Sequence, residues 1–204
     1  MRWAQTSNVG LVRALNEDSL CISPKVGLFA VADGMGGHRA GEVASSVALR
    51  ILERELGSRL AGGAPPEKAL VDCVQEANRY IFEMSGHNPE WAGMGTTITA
   101  CLKREQELFV AQVGDSRAYL LRDGVIARLT EDHSLVQELV KKGGITEEQA
   151  FTHPQRNVLT RALGTERSLK VDLYRAQVNP GDLILLCTDG LTVYLRPEEL
   201  LLAI

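Results

Sequence analysis

The 204 residues, 45% hydrophobic and 24% charged, suit one folded domain that buries well over half of the surface its unfolded form exposes, without needing a disulfide or structural metal to fold. A formal charge of −4 and the lack of any Lys/Arg-rich run argue against nucleic acid as a partner. No apolar stretch approaches the roughly 20 residues that span a bilayer. The first residues, Met1-Arg2-Trp3-Ala4-Gln5-Thr6, carry no secretory signal, and Cys21, Cys73, Cys101 and Cys187 form no Cys-x-x-Cys pair. A cytoplasmic protein with reduced, mostly buried thiols and no membrane or nucleic-acid contact is expected.

In chain order, Arg13-Ala14-Leu15-Asn16-Glu17-Asp18 sets a guanidinium beside two acids, and on residue type alone a solvated, ion-paired loop is as good a reading as a functional cluster. Gly27 to Ala32 reads as a short buried strand that ends at Asp33-Gly34. From Ala40 to Leu60, Val43, Val47, Ile51, Leu52 and Leu56 recur at helical spacing. After the loop Ala61–Pro66, a second helix spans Glu67 to Ser85, with Ala69, Cys73, Ala77, Tyr80, Ile81 and Met84 inward. Further strands are expected over Thr96–Leu102, Leu108–Val113, Ala118–Leu121, Leu169–Val178 and Leu183–Cys187. Arg122-Asp123-Gly124 marks a hairpin, because Asp-Gly tolerates the positive backbone angles of a tight turn. Ser134–Lys142, Thr146–Ala150 and Asn157–Leu163 read as short helices, broken by Gly143-Gly144 and Pro154, in an excursion from the sheet.

Three strands end alike: at Asp33-Gly34, at Gly114-Asp115-Ser116 and at Thr188-Asp189-Gly190. A lone Asp-Gly is usually a plain turn, which is the reading for Asp123-Gly124. Aspartates at the ends of rigid, apolar strands can instead be held to the tolerance a site requires, and clustered carboxylates repel unless cations lie between them. Oxygen ligands without a companion His or Cys set favour Mg²⁺ or Mn²⁺ over zinc. Gly34-Met35-Gly36-Gly37-His38 lacks the Gly-Lys-Ser/Thr ending of a nucleotide-binding loop.

Arg13-x-x-Asn16-Glu17-Asp18, Val31-Ala32-Asp33-Gly34-Met35-Gly36-Gly37-His38, Gly93-Met94-Gly95-Thr96-Thr97, Val113-Gly114-Asp115-Ser116-Arg117, Asp132-His133-Ser134 and Thr188-Asp189-Gly190-Leu191 follow in order along the chain. Together they resemble the PPM family of metal-dependent protein phosphatases, the protein phosphatase 2C type, and especially its compact bacterial members. The resemblance implies an α+β fold, a four-layer αββα sandwich of two antiparallel sheets packed face to face with helices outside. It implies hydrolysis of phosphoserine and phosphothreonine by a metal-activated water, with no covalent phosphoenzyme, through two core Mg²⁺ or Mn²⁺ ions plus a third. By this likeness Asp33 bridges the core ions, the Gly34 carbonyl binds one, Asp189 completes the coordination, and Asp115 with Asp189 holds the third. Glu17 acts through water, Asp18 orients the attacking water, and Arg13 clamps the phosphate oxygens. Cys187 is then a packed core thiol, His38 a capping or packing residue, and His153 and Arg156 lie on a flap that could meet substrate.

Phosphorylated proteins, a Ser/Thr kinase that shares those substrates, and a monomeric state are the implied partners and assembly. Members of that family continue past the helix that starts after Pro197, through a further helix to an Asp-Asn motif on a final strand. The expectation is therefore a single domain, 1–204, that lacks this helix and strand and binds one core ion weakly. Non-catalytic recognition of phosphoproteins, or control of a sigma-factor pathway through one phosphorylated partner, are the competing readings.

Overall fold

The computed structural model describes residues 1–36 and 40–204; His38 lies outside the described residues. The strands are β1 (Asp18–Ser23), β2 (Leu28–Met35), β3 (Gly95–Thr96), β4 (Ile98–Arg104), β5 (Glu107–Val113), β6 (Arg117–Arg122), β7 (Val125–Arg128), β8 (Asp172–Gln177) and β9 (Leu183–Cys187). The helices are α1 (Ala40–Ala61), α2 (Pro66–His87), α3 (Leu135–Lys141), α4 (Glu147–Phe151), α5 (Asp189–Thr192) and α6 (Pro197–Ala203), with a 3-10 turn at Pro89–Trp91. One antiparallel sheet runs β1-β2-β4-β5-β8, with β3 paired to the end of β2, and the other runs β7-β6-β9.

The period-two alternation of strand side chains sorts the apolar residues into layers. On β4 and β5, Ile98, Ala100, Leu102, Phe109, Ala111 and Val113 face the core beneath α1 and α2, whereas Cys101, Leu108 and Val110 face the second sheet. There they meet Ala118 of β6 and Ile184 and Leu186 of β9, while Tyr119, Leu121, Leu185 and Cys187 face the far side. Leu191, Leu200 and Leu201 cover that side, from one-turn α5 and seven-residue α6. Two sheets face to face between helical layers are the expected αββα arrangement, although the layer over the second sheet is thin. Leu52, Leu56, Leu70 and Ile81 are fully buried between the helix pair and the first sheet, and each such side chain stabilises the fold by about 1.5–3 kcal/mol.

The expected strands form, with Thr96–Leu102 divided at Thr97 into the end of β3 and the start of β4, and with β8 confined to the middle of Leu169–Val178. The hairpin turns at Asp123 and Gly124, with φ of 51° and 72°. α3 and α4 start where Ser134 and Thr146 cap them by accepting from the N–H groups of Gln137 and Gln149. Two expectations fail. Asn157–Leu163 is not helical, because its backbone is taken up elsewhere: Leu159 bridges Ser134, Leu163 bridges Thr96, and the Thr160 N–H donates to the His133 carbonyl at 2.8 Å. Tyr80 of α2 is 51% exposed, and Leu70 and Val74 face the core on that helix instead. All four cysteines are free and buried, and burial pushes the Cys187 thiol up to about 12, as expected of a packed thiol.

Candidate active site

β1 and β2 pair with Asp18 opposite Asp33, so two carboxylates meet at one end of the first sheet. Asp189, at the start of α5 just after β9, reaches the same place from the second sheet, where the Thr188 hydroxyl donates to Asp18 Oδ2 at 3.0 Å. Asp115 lies in the turn between β5 and β6. The Asp33 carboxyl lies close enough to those of Asp189 and Asp18 to be repelled by both. Such proximity favours a proton or a cation between the groups. Burial, then repulsion by Asp189, Asp18 and Asp115, pushes Asp33 up to about 9. Burial and Asp189 push Asp115 up to about 7, and burial also raises Asp18.

Glu17 and Gly34 stand beside this cluster. The Gly34 N–H donates to the Glu17 carbonyl at 3.1 Å, and the Ser45 hydroxyl of α1 donates to that carbonyl at 2.6 Å. A Cβ on Gly34 would sit 2.0 Å from the Gly41 carbonyl oxygen, and one on Gly41 would sit 2.4 Å from Glu17 Oε1. Two glycines thus let the first turn of α1 lie against the end of β2 and against the Glu17 carboxylate, whose charge the helix N-terminus favours. Glu17 Oε1 is buried with no hydrogen-bond partner among the described residues. Arg13 stands at the rim, 66% exposed, with its guanidinium 3.7 Å from Glu17 Oε2.

A polar seam beneath the cluster holds its backbone, and the sequence motifs gave these residues no role. The Asp33 N–H donates to Thr97 Oγ1 at 2.9 Å, while the Thr97 N–H and the Thr96 hydroxyl donate to the Asp33 carbonyl. The Thr97 hydroxyl also shares a hydrogen bond with the Ser116 hydroxyl at 2.7 Å. Next to Ser116, Arg117 forks onto both oxygens of buried Asp132, which anchors β6 where it leaves the site.

Oxygen donors fit a divalent cation here: a buried carboxylate oxygen without a partner among the described residues and four aspartates, of which Asp18, Asp33 and Asp115 have their pKa raised. Among the described residues no three acidic, imidazole or thiol side chains already close on one metal position, which suits ions that keep several waters and a backbone carbonyl in their shells. The shifts set a pH dependence with a definite sign. A carboxyl raised from 3.8 to about 9 makes the metal-free fold lose stability as pH climbs through that interval. Cation binding must release those protons, so apparent Mn²⁺ affinity, measured calorimetrically from pH 6 to 9, is expected to increase with pH. An affinity that is flat or falls over that range contradicts the cluster.

The structure thus brings Glu17, Asp18, Asp33, Gly34, Asp115 and Asp189 to one mouth between the sheets, with Arg13 at its edge. His153, half-buried, and Arg156, exposed, follow α4. The Protein phosphatase 2C family model matches residues 2–202. The serine/threonine phosphatase stp of Listeria innocua is 42% identical over 196 residues, covering 94% of this chain and 78% of that protein. The crystal structure of the Mycobacterium tuberculosis serine/threonine phosphatase PstP/Ppp superposes with a TM-score of 0.85 at 41% identity, over 95% of this chain and 80% of that one. The catalytic domain of PstP in complex with two manganese ions gives a TM-score of 0.81 at 38% identity, over 95% and 80% of the two chains. Fold and likeness define a serine/threonine protein phosphatase. The chain belongs to the protein phosphatase 2C family.

Proposed function

We propose that the chain removes phosphate from serine and threonine of phosphorylated proteins with two core Mg²⁺ or Mn²⁺ ions held at the Asp33 cluster and a third at Asp115. The observation that carries this reading is the convergence of aspartates from both sheets on one mouth, beside a buried Glu17 oxygen that lacks a partner among the described residues. Asp33, the Gly34 carbonyl and Asp189 would hold the core ions, and Asp115 with Asp189 would hold the third. When bound, such ions lower the pKa of water and neutralise the charge that develops on the phosphoryl oxygens. The remaining steps belong to the chain's own groups. Glu17 would act through water, Asp18 would orient the attacking water, and Arg13, exposed at the rim, would close its planar fork on the phosphate oxygens.

Cys187 lies in the core with its thiol held protonated by burial, which supports direct attack of water over a thiol nucleophile. The reading extends to a monomeric cytoplasmic enzyme opposing a Ser/Thr kinase. Four reduced, buried cysteines support that setting, and among the described residues no helix is long and apolar enough to cross a membrane. Hydrolysis of a phosphothreonine peptide is expected with Mn²⁺ and is expected to stop when EDTA removes it. Equal rates in Mn²⁺ and EDTA exclude the mechanism.

A further inference from the structure

His133 belongs to the fifth of the six motifs, yet nothing in the chemistry above uses it. It is 7% exposed and makes four polar contacts with three separate parts of the chain. Its N–H donates to the Gly114 carbonyl at 2.9 Å, and the Gly114 N–H donates back to ring Nδ1 at 3.1 Å. Its carbonyl accepts from the Thr160 N–H at 2.8 Å, and ring Nε2 lies 3.0 Å from Asp172 Oδ2. Because Nδ1 accepts from Gly114, the neutral ring carries its proton on Nε2 and donates it to Asp172. Arg161 Nη1, also 3.0 Å from Nε2, cannot donate to the same protonated nitrogen. Its protons go instead to the Lys170 carbonyl at 3.1 Å and towards Asp172 Oδ1 at 3.3 Å.

Gly114 is the residue before Asp115, and its freedom is already small. Its φ is +99°, and a Cβ there would sit 2.5 Å from the Thr97 side chain. The Gln112 side-chain amide donates to its carbonyl at 2.9 Å. Gly114 is therefore hemmed by Thr97, and its carbonyl and N–H are held by Gln112 and by the two-point pairing with His133. With both peptide groups of Gly114 fixed, the direction in which the chain presents Asp115 is fixed as well. Asp172, held by Lys170 and Arg161, keeps the imidazole in the tautomer that leaves Nδ1 free to accept. The Thr160 contact ties the same residue to the root of the segment that carries α3 and α4.

We infer that His133 is a positioning residue for Asp115, acting through the Gly114 N–H to Nδ1 hydrogen bond, with Asp172 setting its tautomer. The inference rests on the reading of Asp115 as a metal ligand. Two substitutions separate the ring's two nitrogens. The amide of His133→Asn places an acceptor where Nδ1 stands, so it keeps the Gly114 contact and gives up Asp172. The amide of His133→Gln reaches only the Nε2 position, so it keeps Asp172 and gives up Gly114.

Mn²⁺ binding by calorimetry, kcat and KM on a phosphothreonine peptide, and melting temperature in EDTA are measured for both, for Asp115→Asn, and for His133→Gln combined with Asp115→Asn. His133→Gln is expected to weaken by roughly tenfold the same Mn²⁺ that Asp115→Asn weakens, the usual size for support of a metal ligand, and to lower kcat with KM unchanged. His133→Asn should stay within about threefold of the original protein, and the double variant should match Asp115→Asn alone. Equal impairment in both His133 variants, or losses that multiply in the double variant, would overturn the inference in favour of a purely structural histidine. If Asp115→Asn loses the ion and His133→Gln binds normally, the inference alone fails. If Asp115→Asn binds Mn²⁺ normally, the ligand reading fails and the inference falls with it.

Discussion

Replacing Asp33 with asparagine is expected to lower kcat on a phosphothreonine peptide by more than about 100-fold, because partners lying outside a metal's own ligands already account for about 10- to 100-fold. The same change is expected to stabilise the protein when metal is absent. In the metal-free fold Asp33 is held up to about 9 by burial and by repulsion from Asp189, Asp18 and Asp115. An upward shift from 3.8 means that folding at neutral pH requires either taking up a proton or enduring that repulsion. Asparagine keeps the shape and does neither. A denaturant midpoint in EDTA above that of the original protein, together with collapsed turnover, is the expected pairing, as when a residue serves a site at the expense of the fold. Unchanged turnover would remove Asp33 from the chemistry.

The second large effect belongs to Gly34. A methyl group there would lie 2.0 Å from the Gly41 carbonyl oxygen and 2.8 Å from that of Glu17. Both atoms are backbone, so no rotamer change relieves the clash, and either the first turn of α1 or the end of β2 must move. Overpacking a core commonly costs about 1–3 kcal/mol. With two rigid backbone neighbours, Gly34→Ala is expected to cost about 3 kcal/mol or more, read from urea unfolding, and to abolish Mn²⁺ binding, because Asp33 and Glu17 flank the displaced segment. Gly86→Ala provides the contrast. Gly86 lies inside α2 with nothing within 4 Å of the added carbon, and replacing a helical glycine is neutral or favourable by about 0.5–1 kcal/mol. If Gly34→Ala folds and binds metal as well as Gly86→Ala does, the close approach of α1 to β2 is not what shapes the site.

Asp33, Asp115 and Asp189 are legible in the sequence because each follows an apolar run that ends abruptly, and a strand end is a local feature. The pairing of Asp18 with Asp33 is not legible in the same way. β1 reads Asp-Ser-Leu-Cys-Ile-Ser, too short and mixed to announce a strand, and only its register with β2 sets the two carboxylates opposite each other. The motif series marked Thr97 and His133, but their work depends on long-range contacts, Thr97 with Asp33 and Ser116, His133 with Gly114 and Asp172. Spacing along a chain carries no trace of such contacts. The failed helix at Asn157–Leu163 has the same origin: local propensity favoured a helix, and bridges to Ser134 and Thr96 claimed the backbone. Tyr80 sat at helical spacing from Ala77 and Met84, yet the face of α2 that meets the first sheet is centred on Leu70, Val74 and Ile81.

On the proposed reading, the carboxylates converging from the two sheets hold divalent cations, with Asp33 shared between them. Calorimetric titration of Mn²⁺ into the original protein and into Asp33→Asn at pH 8 tests it most directly. Saturable binding by the original protein, accompanied by proton release, and loss of at least one ion from Asp33→Asn in a protein that remains folded are the expected results. Indistinguishable Mn²⁺ binding by the two proteins would contradict it.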